Sequence, residues 1–361
     1  MDPRDFPYEL FSKFKAEKEQ NLLAFHRASQ PGEVPVVVRV PNNASGKVCR
    51  YREQSLAVQL DAMALSMQVK SDFLYTSYLE PWHGVGVYAN IFGSPVNWSD
   101  YDAPQTHYLY HALEEVENLK HPDIMAAELP QMVMETMRYF RKMTGDRLDI
   151  CLTDTQSPND SASLILDTTA FFTASLADPE RLEPFMNLLT DVMIEFSEMQ
   201  FEALGSTASH PGHGFLSTPG LRGIAVSDDN MAVISKPSYR NTALPYNNRL
   251  GEHFGCVSIH TCGNFKQNYE IVKQVKNLQL VDCAVSGADP DPNNAGKLAA
   301  AFAGSGIALK VRIGGPEHWH VLDELVRPDL KLMLQISHEG DVAQTNATYE
   351  ALKARCQALL N

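Results

Sequence analysis

The sequence has no unbroken apolar run near the roughly 18 to 20 residues a membrane helix needs, which excludes a helical membrane span. It has few cysteines: Cys49, Cys151, Cys256, Cys262, Cys283 and Cys356 are scattered over 361 residues, too sparsely for a disulfide framework. Basic charge is also short, with 30 Lys and Arg against 44 Asp and Glu, a net charge of -14. That balance repels nucleic acid and anionic membrane surfaces, and it makes a polyanionic substrate harder to hold. The opening stretch, "MDPRDFPYELFSKFKAEKEQ", lacks the apolar core and small-residue cleavage site of a secretory signal. A cytoplasmic home is expected, where cysteines stay thiols. There is no internal repeat, low-complexity tract or long charge block.

What remains is an ordinary globular composition, 44% hydrophobic and 20% charged, in a chain of a length that suits one large α/β unit with insertions. Eight short apolar or β-branched runs recur: "VPVVVRV" (34–40), "DFLYTSYL" (72–79), "LDICLTD" (148–154), "LRGIAVSD" (221–228), "VSIHTCG" (257–263), "LQLVDCAVS" (278–286), "ALKVRIGG" (308–315) and "LKLMLQIS" (330–337). Amphipathic stretches separate them, which is the pattern of a parallel sheet with helical crossovers. Eight such strands predict a closed (β/α)8 TIM barrel over 31–361, with residues 1–30 as a helical N-terminal extension. "DPERLEPFMNLLTDVMIEFSEMQFEAL" and "DPNNAGKLAAAFAGSG" read as crossover helices with acidic or Asp-Pro starts. The stretch 81–147 is longer than one crossover requires, so an insertion is expected after the second strand, around "NWSDYDAPQTHYLYH".

In this architecture the functional groups sit at the C-terminal strand ends. Those ends carry Arg39, Glu80, Asp154 with Gln156, Asp228 with Asp229, His260 with Cys262, Asp282 with Cys283, Arg312, and His338 with Glu339. His260 and Cys262 lie two apart, which a strand places on one face, and imidazole and thiolate are both zinc ligands. The plain alternative is a core histidine beside an inert thiol. A catalytic zinc holds three protein ligands and leaves a fourth position open, so a third group is needed. His338 and Cys283 are the first candidates, with Glu339 and Asp282 next.

Asp228, Asp229 and Asn230 follow the fourth run; adjacent carboxylates can carry protons, or they can cap a helix with a negative first turn. Asp154, Gln156, Asn159 and Asp160 surround a proline, as substrate-binding groups or as caps. Glu80 is a candidate acid or base, Arg39 and Arg312 are candidate clamps for an anionic group, and Asn264 follows the H-x-C-G motif. The Gly-Gly of "IGGPEHWH" lacks the flanking pattern of a phosphate loop, and His318 and His320 read as loop residues.

"SDDNMAVISKPSYRNTALPYNNRLGEHFG" running into "SIHTCGN" resembles the uroporphyrinogen decarboxylase superfamily, and within it the methylcobalamin:coenzyme M methyltransferases and related corrinoid-dependent enzymes. "NLLAFHRASQPGEVPV", "LEPWHGVGVYANIFG", "TDTQSPNDSASLILD" and "TNATYEALKAR" extend the likeness over nearly the whole chain. The resemblance implies a (β/α)8 barrel with its cavity at the C-terminal face, and zinc on His260 and Cys262. The family's third ligand is a cysteine after the last strand. Here that turn reads "QISHEGDV", which sets His338 or Glu339 in its place. The decarboxylase branch has an arginine-rich first-strand loop where this chain reads "VRVPNNASGK", so decarboxylation of a porphyrinogen is not expected.

The expected activity is zinc-dependent transfer of a methyl group from a methylcorrinoid to a small-molecule thiol. Zinc would sit on His260, Cys262 and His338, and a corrinoid protein would deliver the donor. Asp228, Asp229, Glu80 and Asp154 would handle protons. Arg39, Gln156, Asn159, Asn230, Asn264 and Arg312 would hold the substrate. A metal-independent decarboxylase or lyase of a small acid or tetrapyrrole is the alternative, followed by a non-catalytic corrinoid or tetrapyrrole binder. Neither nucleic acid nor membrane is an expected partner, and a homodimer is open to it.

Overall fold

The computed structural model describes residues 1–29, 32–41, 46–287 and 289–361. Each of the eight runs contains a strand: β1 (Val36–Arg39), β2 (Tyr78–Leu79), β3 (Asp149–Ile150), β4 (Ile224–Ser227), β5 (Val257–His260), β6 (Leu278–Ala284), β7 (Ala308–Arg312) and β8 (Leu332–Ser337). Six of them form one parallel sheet in the order β1-β8-β7-β6-β5-β4, and β2 pairs in parallel with β3. The two ladders complete the (β/α)8 arrangement across two seams. At the first, β1 turns its donors to side chains: Val36 N–H reaches Asp72 Oδ2 at 2.6 Å and Val38 N–H reaches Ser71 Oγ at 3.0 Å. At the second, Ser209 N–H donates to the Ile150 carbonyl (3.0 Å), and Ala225 and Ser227 N–H donate to the Pro211 and Thr155 carbonyls (2.9 and 3.0 Å).

The strand period of two sorts the side chains into an outer and an inner set. Val36, Val38, Val226, Ile259, Val281, Cys283, Val311, Leu334 and Ile336 pack in the main core that includes the helices. Val37, Ala225, Leu280, Ala308 and Met333 form a second, inner apolar cluster, joined by Leu22 and Phe25 of the helix Tyr8–Arg27 and by Phe73 and Phe215. The N-terminal helix therefore seals this end of the barrel, and each such buried side chain contributes about 1.5–3 kcal/mol. Two residues further along each strand, the inner set turns polar: Arg39, Ser227, His260, Asp282, Lys310 and Gln335. The expected boundary at 30–31 and the 42–45 part of the loop after β1 lie outside the described residues.

The expected crossover helices are present as Pro179–Leu204 and Ala295–Phe302. The insertion after β2 holds the helix Val87–Ile91, a two-stranded antiparallel hairpin of Val96–Asn97 with Gln105–Thr106, and the helix Glu128–Thr144. The expected loop at 97–111 thus contains one arm of this hairpin. Among the described residues no helix is long and apolar enough to cross a membrane.

Candidate active site

β5 ends at His260, and the chain turns immediately after it. This sets Cys262 Sγ 3.3 Å from His260 Nε2, and the Cys262 N–H donates to Asp229 Oδ1 at 2.6 Å. Asp229 lies just past β4, one strand over, with an oxygen 4.0 Å from His260 Nε2. The ligand atoms of Asp229, His260 and Cys262 all lie within 4.8 Å of one another. Nitrogen, sulfur and oxygen in this arrangement suit zinc. His260 also has the anchoring that metal-bound imidazoles use, because its Nδ1 is hydrogen-bonded to the buried Asp282 carboxylate, leaving Nε2 for a metal. Burial lowers the His260 pKa, but Asp282 outweighs it and the free imidazole is pushed up to about 9.

Asp282 is the hub of the inner polar layer. Its Oδ1 lies 3.3 Å from Lys310 Nζ and 3.7 Å from Arg312 Nε. Burial opposes ionisation of Asp282, yet Lys310, Arg312 and His260 together hold it well below the usual carboxylate range. Arg312 also donates to the Thr261 carbonyl at 2.8 Å, tying β7 to the turn that carries Cys262. Lys310 is 1% exposed and donates to Gln335 Oε1 (2.7 Å) and to the Gly214 carbonyl (2.8 Å). Desolvation lowers its pKa to about 8.

A cavity of about 370 Å³ is lined by these groups and by a second ionisable cluster. Glu80, at the end of β2, is hydrogen-bonded to His213 Nδ1, and His213 Nε2 lies 3.5 Å from Asp154 Oδ2. Asp154 in turn accepts from Trp82 Nε1 (3.2 Å) and Gln156 Nε2 (3.0 Å). Arg39 lines the cavity beside Tyr75, 5.9 Å from its ring centroid, and no salt bridge to it is found among the described residues. His213 was not singled out from the sequence, since it lies on a loop between strands. The available signal was "HPGHGF", where both flanking glycines take positive φ (+121° at Gly212, +73° at Gly214) and free the histidine to project inward.

Several expected site residues lie elsewhere. Asp228 is fully buried outside the cavity lining, accepting from Asn159 Nδ2 (3.1 Å) and Asn247 Nδ2 (3.2 Å). Burial raises its pKa to about 6. Asn230 bonds the Asn159 carbonyl and Ser163 Oγ, while Asp160 accepts the Asp229 and Asn230 N–H groups. These residues fasten the turn that presents Asp229. Asn264 accepts from the Lys266 N–H just ahead of the short 3-10 turn Lys266–Asn268.

His338 is not in the donor cluster. It has the outward parity of Leu334 and Ile336, so its Nδ1 meets Thr345 Oγ1 (2.8 Å) on the C-terminal helix Val342–Leu360. Cys283 has the same outward parity on β6, and burial raises its thiol pKa far above the usual range. Glu339 lines a separate polar groove of about 610 Å³ with Gly314, Gly315 and His318. There the glycines make room for a side chain: a Cβ on Gly314 would come 2.6 Å from the His318 ring.

The model of the uroporphyrinogen decarboxylase family matches residues 83–210. Over the whole chain, the structure is similar to a methyltransferase from Methanosarcina mazei, with a TM-score of 0.66 and 15% sequence identity, covering 94% of this chain and 98% of that one. The chain therefore shares the barrel fold of that methyltransferase, and its segment 83–210 resembles the uroporphyrinogen decarboxylase family. No curated protein sequence matches it. The matched residues include Asp154, Gln156 and Asn159 and stop short of His260 and Cys262, so the metal-site reading stands on the geometry above.

Proposed function

We propose that this protein is a zinc-dependent methyltransferase that moves a methyl group from a methylcorrinoid to a small thiol. The observation that carries the reading is the convergence of Asp229, His260 and Cys262 donor atoms within 4.8 Å. Asp229 replaces His338 as the expected third ligand. Zinc held there would lower the pKa of a thiol in its open fourth position, giving a thiolate nucleophile at neutral pH.

The chain's own residues do the rest. Asp282 fixes His260 with Nε2 outward, and Lys310 and Arg312 keep Asp282 ionised. Arg39 faces the cavity as an anchor for an anionic end of the acceptor. The donor would arrive on a separate corrinoid protein over the barrel mouth, in the cytoplasm, where Cys262 would stay a thiol. The test is zinc analysis of the purified wild-type protein and of the His260→Ala, Cys262→Ser and Asp229→Ala variants, together with methyl transfer from methylcobalamin to 2-mercaptoethanol. Wild-type protein that is folded, metal-free and active would end the proposal.

The Glu80–His213–Asp154 cluster supports a second reading, metal-independent decarboxylation of a small acid. On that reading Cys262→Ser keeps full activity.

A further inference from the structure

The cavity contains two imidazoles, and a carboxylate anchors each through Nδ1. His260 is held by Asp282, with Nε2 among the metal donors. His213 is held by Glu80 and lines the cavity, with Nε2 3.5 Å from Asp154, too far for a normal hydrogen bond. The loop that carries His213 is held from several sides. Tyr78 Oη donates to the Gly212 and Phe215 carbonyls (3.2 and 2.9 Å), and Lys310 Nζ and Tyr75 Oη donate to the Gly214 carbonyl (2.8 and 3.3 Å). Three buried or half-buried side chains thus fix a two-glycine turn from which one imidazole enters the cavity. Such pre-organisation is what a reacting group requires.

We propose that His213 is a further catalytic residue, exchanging a proton with the substrate through Nε2. The direction of that exchange rests on the methyl-transfer reading. For a thiol acceptor, the S–H bond breaks and an Nε2–H bond forms; the electron pair left on sulfur attacks the methyl carbon of the methylcorrinoid, whose cobalt keeps the bonding pair. His213 then releases the proton to water. For a decarboxylation the same group works in reverse: the Nε2–H bond breaks and a C–H bond forms at the carbon that keeps the electron pair as carbon dioxide leaves.

The charged and titratable groups that line the cavity with His213 are Arg39 from β1, Glu80 after β2, Asp154 after β3, His260 from β5, Asp282 from β6, Lys310 and Arg312 from β7, and the phenols of Tyr75 and Tyr78; Asp154, Glu80 and His260 act on it most directly. Burial pulls the imidazole down, but Asp154 and Glu80 together raise it to about 9. The neutral imidazole that accepts a thiol proton is therefore the minor form below about pH 9, so transfer to a thiol should rise with pH towards that value.

The test pairs NMR titration of the His213 ring in metal-free protein with the pH dependence of methyl transfer from methylcobalamin to 2-mercaptoethanol in zinc-loaded protein. The ring should titrate near 9. Glu80→Gln should move the ring midpoint and the kinetic limb downward together, and Asp154→Asn should do so to a lesser degree. His213→Gln should lose about 100-fold or more in kcat with its zinc content intact. Cys262→Ser should lose zinc while the His213 midpoint stays in place, which separates failure of the metal reading from failure of this one. In this assay the rate should rise with pH through the limb, as a base requires, and Glu80→Gln should move that limb; a rate that falls with pH through it would overturn the base role. A ring midpoint that falls in Glu80→Gln while the kinetic limb stays put would overturn it, as would a His213→Gln protein within twofold of wild type.

Discussion

Replacing Asp282 by Asn removes the charge at the centre of the inner polar layer and keeps the shape. Three cationic groups meet that carboxylate: His260, Lys310 at 3.3 Å and Arg312 at 3.7 Å. Breaking a buried ion pair from one side costs about 3–5 kcal/mol, because the remaining charge is left uncompensated. Lys310 limits the loss. It keeps its bonds to Gly214 and Gln335, and since its pKa is already near 8 with Asp282 in place, shedding its proton at pH 7 costs at most about 1.4 kcal/mol. A loss of about 2–4 kcal/mol at pH 7 follows. Unfolding entropies of roughly 2 cal/mol/K per residue make this about 3–5 °C in Tm for a chain of this length.

The loss should also depend on pH, in a definite direction. The Lys310–Asp282 attraction is fully present below about pH 8 and fades as Lys310 deprotonates above it, even in wild type. Calorimetry at pH 7 and pH 9 should therefore show a smaller difference between Asp282→Asn and wild type at pH 9. Equal differences at the two pH values would refute the charge argument, and no loss at pH 7 would refute the hub. In zinc-loaded protein the same substitution should also weaken metal binding by about 10–100-fold, since it removes the partner that orients His260.

Further predictions concern single positions. His338→Ala should keep the full wild-type zinc content by elemental analysis, whereas Asp229→Ala should lower it; the reverse pattern would restore the ligand set expected from the sequence. Gly223→Ala should cost about 2–4 kcal/mol in urea denaturation, because φ is +93° there and the new Cβ would lie 2.4 Å from the Cys256 carbonyl oxygen. Asp228 has a folded pKa near 6, above its unfolded value of about 3.9, so the folded state binds its proton more tightly. Stability should fall as pH rises between those two values, and Asp228→Asn should flatten that slope in melts taken from pH 4 to pH 7.

The eight strands were legible because short β-branched runs at crossover spacing have few other uses in a chain of this composition. Period-two alternation also did well within the longer strands. His260, Asp282 and Arg312 all face the interior polar layer, as strand-end reading implies. The same rule, applied one residue past β8, would have excluded His338, which shares the outward parity of Ile336. Cys283 fails for the same reason beside Asp282. Asp228, Asn159 and Asn230 misled in another way: short polar side chains clustered past a strand end can serve a cavity or satisfy one another's hydrogen bonds. Here they do the latter, and their product is the placement of Asp229. Lys310 lies in the seventh run but was not singled out, because a lysine within an apolar run gives no sign of its partners until Asp282 is seen on the neighbouring strand.

His213 had only the glycines of "HPGHGF" to mark it, and the reason it reaches the site lies in how the barrel closes. β2 and β3 have only two paired residues each, and β3 does not form a ladder with β4. The N–H groups of Ala225 and Ser227 on β4 would be left unpaired in the wall, at a cost of about 1–3 kcal/mol each. The Pro211 and Thr155 carbonyls accept them instead, so the segment near 211 is drawn into the wall as a substitute strand. A segment used this way must leave the wall again within a few residues. Gly212 and Gly214 make that exit sharp, and His213, between them, reaches the cavity. The second imidazole of the site is therefore a consequence of the seam, which becomes visible only when the strand pairing is known.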